Sequence, residues 1–148
     1  MGIWIDHIGI ACETNEVSKR FWELLGFTDS GTDQNEEQGV KINFMRGDVA
    51  PQPKIELLEP LGPDTPVGKF ISKYGEGIQQ LALGTDDITG LITLLKENNV
   101  RMVNEEPMYG ANNALIAFVH PSSTGGVLVE IVQKLSLIHI SEPTRPLY

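Results

Sequence analysis

Cysteine is scarce in this sequence of 148 residues, because Cys12 is the only one. One cysteine excludes a disulfide framework and a thiolate metal cluster within the chain. We expect Cys12 to be a small buried apolar group. Long apolar runs are also missing, since none approaches the roughly 20 residues that a membrane helix needs. The sequence therefore indicates neither a disulfide-rich secreted domain nor a membrane-spanning protein.

Basic residues are few relative to acidic ones. Eleven Lys and Arg face 20 Asp and Glu, which gives a formal charge of -9 and a pI near 4.7. Such a balance argues against nucleic acid or an anionic membrane as the main partner. The N-terminus enters an apolar segment (Ile3, Trp4, Ile5) without a basic region and cleavage site, so we expect a cytoplasmic protein.

The run LSLIHISEPTRPLY at 135–148 differs from the rest of the chain. It lacks the glycines and the clear hydrophobic period of the sequence before it. It resembles translated read-through of a synthetic sequencing adapter. We therefore predict a single domain over residues 1–134 and leave 135–148, as a non-native tail, out of functional reasoning.

The two halves of the domain carry the same pattern of elements. In each, a short apolar strand is followed by an amphipathic helix that ends at a residue suited to a left-handed cap. Further apolar strands follow at matching distances. The matching pairs are His7 with Gln80 and Gly26 with Asn99, both 73 positions apart, and Phe44 with Phe118 and Glu56 with Glu130, both 74 apart.

This nearly constant offset predicts a duplicated βαβββ unit. Module one spans about 3–61 and module two about 75–133. Between them, the turn at 62–66 and the Pro at its end predict a linker helix over about 64–74. We therefore expect an α+β fold made of two paired βαβββ modules.

Four polar residues occupy equivalent places in these modules: His7 and Gln80 on the first strands, Glu56 and Glu130 on the last. Each has apolar neighbours, and side chains alternate between the two faces of a strand. One such residue alone is ordinarily a solvated strand position. Their paired recurrence instead predicts a shared site, and a His, a Gln and two Glu form a suitable N/O ligand set for a divalent metal.

Five motifs together cover nearly all of residues 3–133: IDHIGIA at 5–11, EEQGV at 36–40, KIELLEPLGPDTPVGKF at 54–69, GEGIQQLAL at 75–83 and NEEPMYGANNALIAFVHPSSTGGVLVEIVQ at 104–133. With them the sequence resembles the vicinal-oxygen-chelate (glyoxalase/bleomycin-resistance) superfamily, and within it the methylmalonyl-CoA epimerases. The resemblance implies a U-shaped mixed sheet around one divalent metal, and a homodimer. It also implies interconversion of the C2 epimers of methylmalonyl-CoA by α-proton abstraction through an enolate.

The resemblance also assigns metal ligands. His7, Glu56 and Glu130 match the family's ligands residue for residue, whereas Gln80 stands where the family usually has a histidine. Glutamine can coordinate through its carbonyl oxygen. It is a harder ligand than imidazole, so metal choice shifts from zinc or nickel toward cobalt, manganese or magnesium.

Two groups must handle the proton, one on each face of the enolate. We expect Glu130 to be one of them, because a carboxylate at the metal can exchange coordination for proton transfer. Some family members use a glutamate of the third strand, but the matching position here is near Ile42, which cannot titrate. Glu56 and Glu37 are the remaining candidates, and the sequence does not choose between them.

The segment around His120 is a candidate for substrate binding. His120 could contact the substrate carboxylate or an enolate oxygen, or it could cap the turn at Pro121. Gly125 and Gly126 would let backbone amides approach an anion. The contacts of CoA stay open, since Lys41, Lys54 and Arg101 could each meet one of its phosphates.

The aromatic residues Trp4, Phe21 and Trp22 belong either to the core or to a dimer surface.

Two other functions are compatible with this resemblance. A glyoxalase I-type isomerase (lactoylglutathione lyase) would use the same proton abstraction and a similar ligand composition. A non-catalytic small-molecule-binding protein would need no metal. A ring-cleaving dioxygenase is the least favoured reading, because such sites usually have two histidines and one carboxylate for iron.

Overall fold

The computed structural model describes residues 1–49 and 51–135. The predicted tail begins at 135, and its residues from 136 onward lie outside these ranges, so its exclusion and the boundary at 134 stay predictions. The elements in chain order are β1 Ile3–Ala11, α1 Asn15–Leu24, β2 Thr28–Asn35, β3 Val40–Arg46, β4 Lys54–Pro60, α2 Pro66–Tyr74, β5 Gly77–Thr85, α3 Ile88–Glu97, β6 Met108–Gly110, β7 Ala114–Val119 and β8 Val129–Lys134, with a 3₁₀ turn at Pro121–Ser123.

All the strands belong to one curled sheet with the order β2-β3-β4-β1-β5-β8-β7-β6. Each module contributes one side of it, and the modules join where β1 pairs antiparallel with β5. The β1–β4 and β5–β8 pairs are parallel, and the remaining pairs are antiparallel. The predicted α+β fold of two βαβββ modules around a U-shaped mixed sheet is confirmed.

The linker helix lies within the predicted range 64–74, and the other two helices end before the predicted caps Gly26 and Asn99. Thr65 caps the linker helix α2 by accepting a hydrogen bond from the Gly68 amide, and Pro66 opens its first turn. Gly26 and Asn99, after α1 and α3, adopt the left-handed conformation at φ 102° and 62°. Within the two described ranges, no helix has the length and apolar character needed to cross a membrane.

Side chains along β4 point alternately into the core beneath the helices and into the interior of the U-shaped sheet. Leu57 packs with Met45 and Trp22 on the side of α1. Its neighbours Glu56 and Leu58 point the other way and line a cavity. Module two repeats this division, with Ile131 packed against Ile88 and Ile92 of α3 and with Glu130 and Val132 lining the same cavity.

Candidate active site

The cavity inside the U has a volume of about 320 Å³. Most of its wall is apolar, and eight of the apolar residues form pairs related by the duplication. These pairs are Val40 with Ala114, Ile42 with Ile116, Phe44 with Phe118, and Leu58 with Val132. Such a wall suits a small acyl group, and it lowers the local dielectric around the polar residues that share the cavity.

Two bulges turn consecutive polar residues into this cavity. The β1–β5 register pairs Ile5 with Leu83 but His7 with Ala82, so Asp6 is the extra residue. Asp6 and His7 therefore both line the cavity, although neighbours in a regular strand face opposite ways. A second irregularity in the same pair of strands lies at Gln79, which likewise lines the cavity next to Gln80.

The four predicted site residues converge in the structure. His7 Nε2 lies 3.1 Å from Glu130 Oε1, and His7 Nδ1 lies 3.2 Å from Glu56 Oε2. The Gln80 side-chain amide donates a hydrogen bond of 2.7 Å to Glu130 and lies 3.5 Å from His7 Nε2. All four side chains are buried. The sequence prediction that these residues share one site agrees with this geometry, and their chemical roles stay predictions.

Small residues on the two central strands make room for this cluster. Gly9 of β1 pairs with Gln80, and Ala82 of β5 pairs with His7, so each polar residue faces a small one from the other module. A Cβ atom at Gly9 would lie 2.6 Å from Gln80 Cγ and 2.9 Å from Leu58 Cδ1. The absence of a side chain at Gly9 is therefore a requirement of the site.

Asp6 joins the cluster to two lysines. Its carboxylate lies 2.7 Å from His7 Nδ1, 3.3 Å from Lys54 Nζ and 3.5 Å from Lys134 Nζ. Burial alone would raise the pKa of Asp6, but the hydrogen bond with His7 and the charges of both lysines lower it well below its ordinary value. Asp6 is therefore ionised under ordinary conditions.

Burial is the largest cause of the pKa shift at both His7 and Glu56, and the neighbouring charges modify it in each case. Burial disfavours the His7 imidazolium, yet its hydrogen bonds with Asp6 and Glu130 and the charge of Glu56 raise its pKa to about 9. Burial raises the pKa of Glu56 to about 7, the charge of His7 opposes this, and Glu130 adds to it. The His7 shift therefore reflects its carboxylate neighbours, and the Glu56 shift reflects its burial.

The donors of this cluster fit a divalent metal. One donor atom each of Asp6, His7 and Glu56 lies within 4.8 Å of the others, and Glu130 lies against the other ring nitrogen of His7. Asp6 contacts Nδ1 and also both lysines, so Nε2, on the side of Glu130, is the nitrogen that His7 could offer to an ion. Glu56 lies against Nδ1 and would have to turn toward such an ion. Gln80 would need only an amide flip to present its oxygen instead of its nitrogen. A dication would also offset the negative charge of the carboxylates that surround His7.

The other predicted residues lie elsewhere. His120 precedes the 3₁₀ turn, and its Nδ1 accepts a hydrogen bond from the Ser122 amide. Neither His120 nor Gly125 and Gly126 line the cavity, so their predicted contact with substrate stays a prediction. Glu37 lies exposed in the turn between β2 and β3.

Sequence reasoning missed Asp6 and Gln79. Strict alternation directs both away from the site, and a bulge cannot be read from hydrophobic period. One signal was available: Asp6 and Gln79 are 73 positions apart, like His7 and Gln80. Of the three basic residues considered for a CoA phosphate, only Lys54 lines the cavity; Lys41 and Arg101 do not.

Comparison with known proteins places this architecture in a family. A family model described as the glyoxalase/bleomycin resistance protein/dioxygenase superfamily matches residues 6–118. The chain belongs to this superfamily. This assignment confirms the resemblance seen in the sequence motifs. Individual proteins also align with this chain over most of its length.

Three similar proteins illustrate that match. An uncharacterised protein of Bacillus subtilis, YqjC, is 35% identical over 87% of this chain and 91% of its own. Mitochondrial methylmalonyl-CoA epimerase of Bos taurus is 33% identical over 87% of this chain and 73% of its own. A variant of the Streptomyces coelicolor methylmalonyl-CoA epimerase, solved in complex with 2-nitronate-propionyl-CoA, superposes with a TM-score of 0.85 at 36% identity, covering 90% and 95% of the two chains.

Proposed function

We propose that this protein is an isomerase that interconverts the C2 epimers of methylmalonyl-CoA. One observation carries the proposal. Two carboxylates related by the duplication flank one imidazole in an apolar cavity, in a chain 33% identical to a methylmalonyl-CoA epimerase. A thioester activates the hydrogen at C2, so a pair of carboxylates is the chemistry that epimerisation needs.

The proposal includes one divalent ion, held by His7, Glu56, Gln80 and Glu130. Cobalt, manganese and magnesium suit this oxygen-rich set better than zinc or nickel, because Gln80 replaces an imidazole with an amide oxygen. Bound there, the ion would supply positive charge beside the thioester carbonyl and stabilise the charge that develops on its oxygen.

Glu130 and Glu56 are the groups that move the proton. They approach His7 from its opposite edges, Glu130 at Nε2 and Glu56 at Nδ1, so the two carboxylates are separated in the cavity, as proton transfer at two faces of an enolate requires. Glu130 takes the proton from C2 as the C–H electron pair moves into the enolate. Glu56 returns a proton to the other face. Ile42 lines the cavity without a titratable group and Glu37 lies outside it, which favours Glu56 as the second group.

We further propose residues 1–134 as the functional unit, in a cytoplasmic homodimer. The residues that line the cavity run from Asp6 to Lys134, which supports that boundary. An exposed apolar face on α1, which includes Val17, Phe21 and Leu24, supports a dimer because monomers seldom leave such a face uncovered.

The decisive experiment is loss of the C2 proton of methylmalonyl-CoA in deuterated water, followed by NMR with cobalt and with a chelator. We expect metal-dependent exchange. Glu130→Gln should lower the rate by a factor on the order of 100 or more, as removal of a general base does. Glu37→Gln is the matched control, since it makes the same change in a carboxylate outside the cavity, and it should leave the rate unchanged.

A folded protein that exchanges no proton with any of the metals would refute the epimerase. A thiol-adduct isomerisation assay would then test the glyoxalase I-type alternative. Tight binding of a CoA ester without exchange would instead support the non-catalytic binding protein.

A further inference from the structure

The open side of the U-shaped sheet is crossed by contacts between its two arms. β2 and β6 are the edge strands, so only the curl of the sheet brings them together. A turn joins each edge strand to its neighbour: turn one at 36–39, between β2 and β3, and turn two at 111–113, between β6 and β7. The two turns are related by the duplication, since 37–39 and 111–113 are 74 positions apart.

Each turn lies against the edge strand of the other module. Gln38 of turn one donates a hydrogen bond of 3.0 Å from Nε2 to Sδ of Met108 in β6. The backbone amide of Asn112 in turn two donates a hydrogen bond of 3.3 Å to Oδ2 of Asp33 in β2. Gln38 and Asn112 are themselves 74 positions apart, so the duplication repeats the contact from the other side. We call these two hydrogen bonds the clasp.

The clasp lies over the cavity. Gln38, Ala111 and Asn112 all line it, and Ala111 also packs against the buried cluster that includes Val40 and Ile42 of module one. The central strands β1 and β5 form the base of the U, so the clasp spans the side opposite to the four converging polar residues. A cavity of about 320 Å³ accommodates an acyl group and not a whole CoA ester, so such a ligand must enter with its acyl end first.

Turn one is fixed to the framework. The Gly39 carbonyl accepts a hydrogen bond of 2.9 Å from the Leu61 amide. Gly39 has a positive φ of 67°, and a Cβ there would lie against the side chain of Thr65, which caps α2. Turn one is therefore the stationary half of the clasp.

Turn two is held less firmly. It follows β6, an edge strand of three residues that pairs with β7. Asn112 and Asn113 both adopt the left-handed conformation, at φ 61° and 55°, as in the tight turns of hairpins. Its end is anchored, because the Asn113 carbonyl accepts a hydrogen bond of 3.1 Å from the Leu135 amide. Movement of β6 and residues 111–112 about this anchor opens the clasp and breaks few contacts.

We propose that the clasp is a gate: turn two, latched to module one by Asp33 and Gln38, must release before a ligand enters or leaves the cavity. The inference goes beyond the proposed function, because it concerns any ligand of the cavity, whether an ion or a CoA ester. Closure afterwards excludes water and strengthens electrostatic interactions with the buried carboxylates. Asp33 is a positioning residue in this scheme, because it does not line the cavity and acts through Asn112.

The test is Asp33→Ala, which removes one acceptor of the clasp and leaves the cavity lining unchanged. In stopped-flow measurements with the cobalt-loaded full chain, methylmalonyl-CoA should associate and dissociate about fivefold to tenfold faster, as the loss of one hydrogen bond predicts. The Kd should stay within about twofold, because the clasp is closed both before and after binding. Glu37→Ala is the matched control: it removes an exposed carboxylate of turn one that does not line the cavity, and it should leave both rates unchanged.

A second measurement needs no ligand. Hydrogen exchange of the Asn112 amide, followed by NMR, reports opening of the clasp directly, because this amide is the donor to Asp33. Exchange should be about fivefold to tenfold faster in Asp33→Ala than in the wild-type protein. Glu37→Ala should leave it unchanged.

Three results would overturn the inference. Unchanged amide exchange in Asp33→Ala would show that the clasp does not hold turn two. Faster amide exchange with unchanged ligand rates would show that ligands take another path. A changed Kd with an unchanged association rate would indicate a role in binding and not in passage.

Failure of the proposed function would look different. The wild-type protein would then not bind methylmalonyl-CoA, while the Asn112 amide would still respond to Asp33→Ala. Entry of cobalt into the metal-free protein, measured by stopped-flow absorbance, would then test the gate with the same two variants, and equal rates in both would overturn it.

Discussion

At the scale of single residues, His7 determines the electrostatics of the site. Its two ring nitrogens contact carboxylates from two modules, Glu56 and Glu130, as well as Asp6. Without a metal, the imidazolium compensates these carboxylates together with the two lysines at Asp6. Burial opposes the imidazolium, but its hydrogen bonds with Asp6 and Glu130 raise the His7 pKa above its ordinary value. Metal binding must displace that proton, so affinity for metal should increase with pH.

The chelator-treated protein should therefore become less stable as the pH rises from about 6.5 to about 9. The His7 contribution is complete below its ordinary pKa of 6.5 and is lost as the pH rises through about 9. The Glu56 contribution has the same sign, being complete below 4.5 and lost through about 7. Urea unfolding should show a decrease of about 3 kcal/mol in the free energy of unfolding across that window.

His7→Gln should remove most of this pH dependence, and His120→Gln, a matched change outside the cavity, should retain it. At the same free cobalt concentration, cobalt should stabilise the protein more at pH 8 than at pH 6. The difference between the two gains should be about the free energy of unfolding that the metal-free protein loses over the same pH range. A stability that stays flat between these pH values in metal-free protein would contradict this account.

At the scale of elements, the two central strands β1 and β5 are more specialised than their apolar sequences indicate. Each strand carries an irregularity that turns two consecutive side chains toward the cavity. Each also provides a small residue opposite a polar residue of the other strand, Gly9 opposite Gln80 and Ala82 opposite His7. Gly9 is the tightest of these points, because any Cβ there meets both Gln80 and Leu58.

Gly9→Ala should therefore displace Gln80 and weaken cobalt binding, and it should cost about 1–3 kcal/mol of stability, as overpacking does in a buried site. Gly62→Ala is the control, since a Cβ at Gly62 meets nothing within 4 Å. Calorimetric titration with cobalt and thermal unfolding would measure the two effects. Normal cobalt affinity in a folded Gly9→Ala protein would refute the packing argument.

Elements with a clear hydrophobic period were predictable, and those without one were not. The linker helix matches α2 from Pro66 to Tyr74 because its capping Thr and first-turn Pro are local signals. The polar strand β2 and the three-residue β6 gave no such signal; both lie at edges of the sheet, where short or polar strands are common. In the site, duplication revealed the four converging residues, but only three-dimensional packing reveals the bulged Asp6 and the lysines beside it.

At the scale of the whole molecule, α1 carries its apolar face outward. Val17, Phe21 and Leu24 recur at helical spacing and are 63%, 58% and 86% exposed. Trp22, on another side of the helix, packs against Phe27 and the core. Of the two roles considered for the aromatic residues, the core fits Trp22, and a dimer surface fits Phe21.

Phe21→Glu should convert the proposed dimer into a monomer while leaving the fold intact, because it places a charge on an already exposed face. Leu94→Glu is the matched control, since Leu94 holds the related place on α3 and is 49% exposed. Sedimentation velocity would separate the two states. A wild-type protein that sediments as a monomer, or a Phe21→Glu protein that still dimerises, would contradict the assignment of this surface.

The position of β8 in the sheet has a consequence for how the chain is synthesised. β8 is the last described strand along the chain, yet it lies in the interior of the sheet between β5 and β7. Module one can complete its own strands once β4 has left the ribosome, whereas module two cannot until β8 emerges. During that interval, Glu56 and the apolar wall of Phe44 face solvent in a half-built protein, a state in which such surfaces are prone to aggregate. The cavity is therefore complete only when β8 has joined the sheet between β5 and β7.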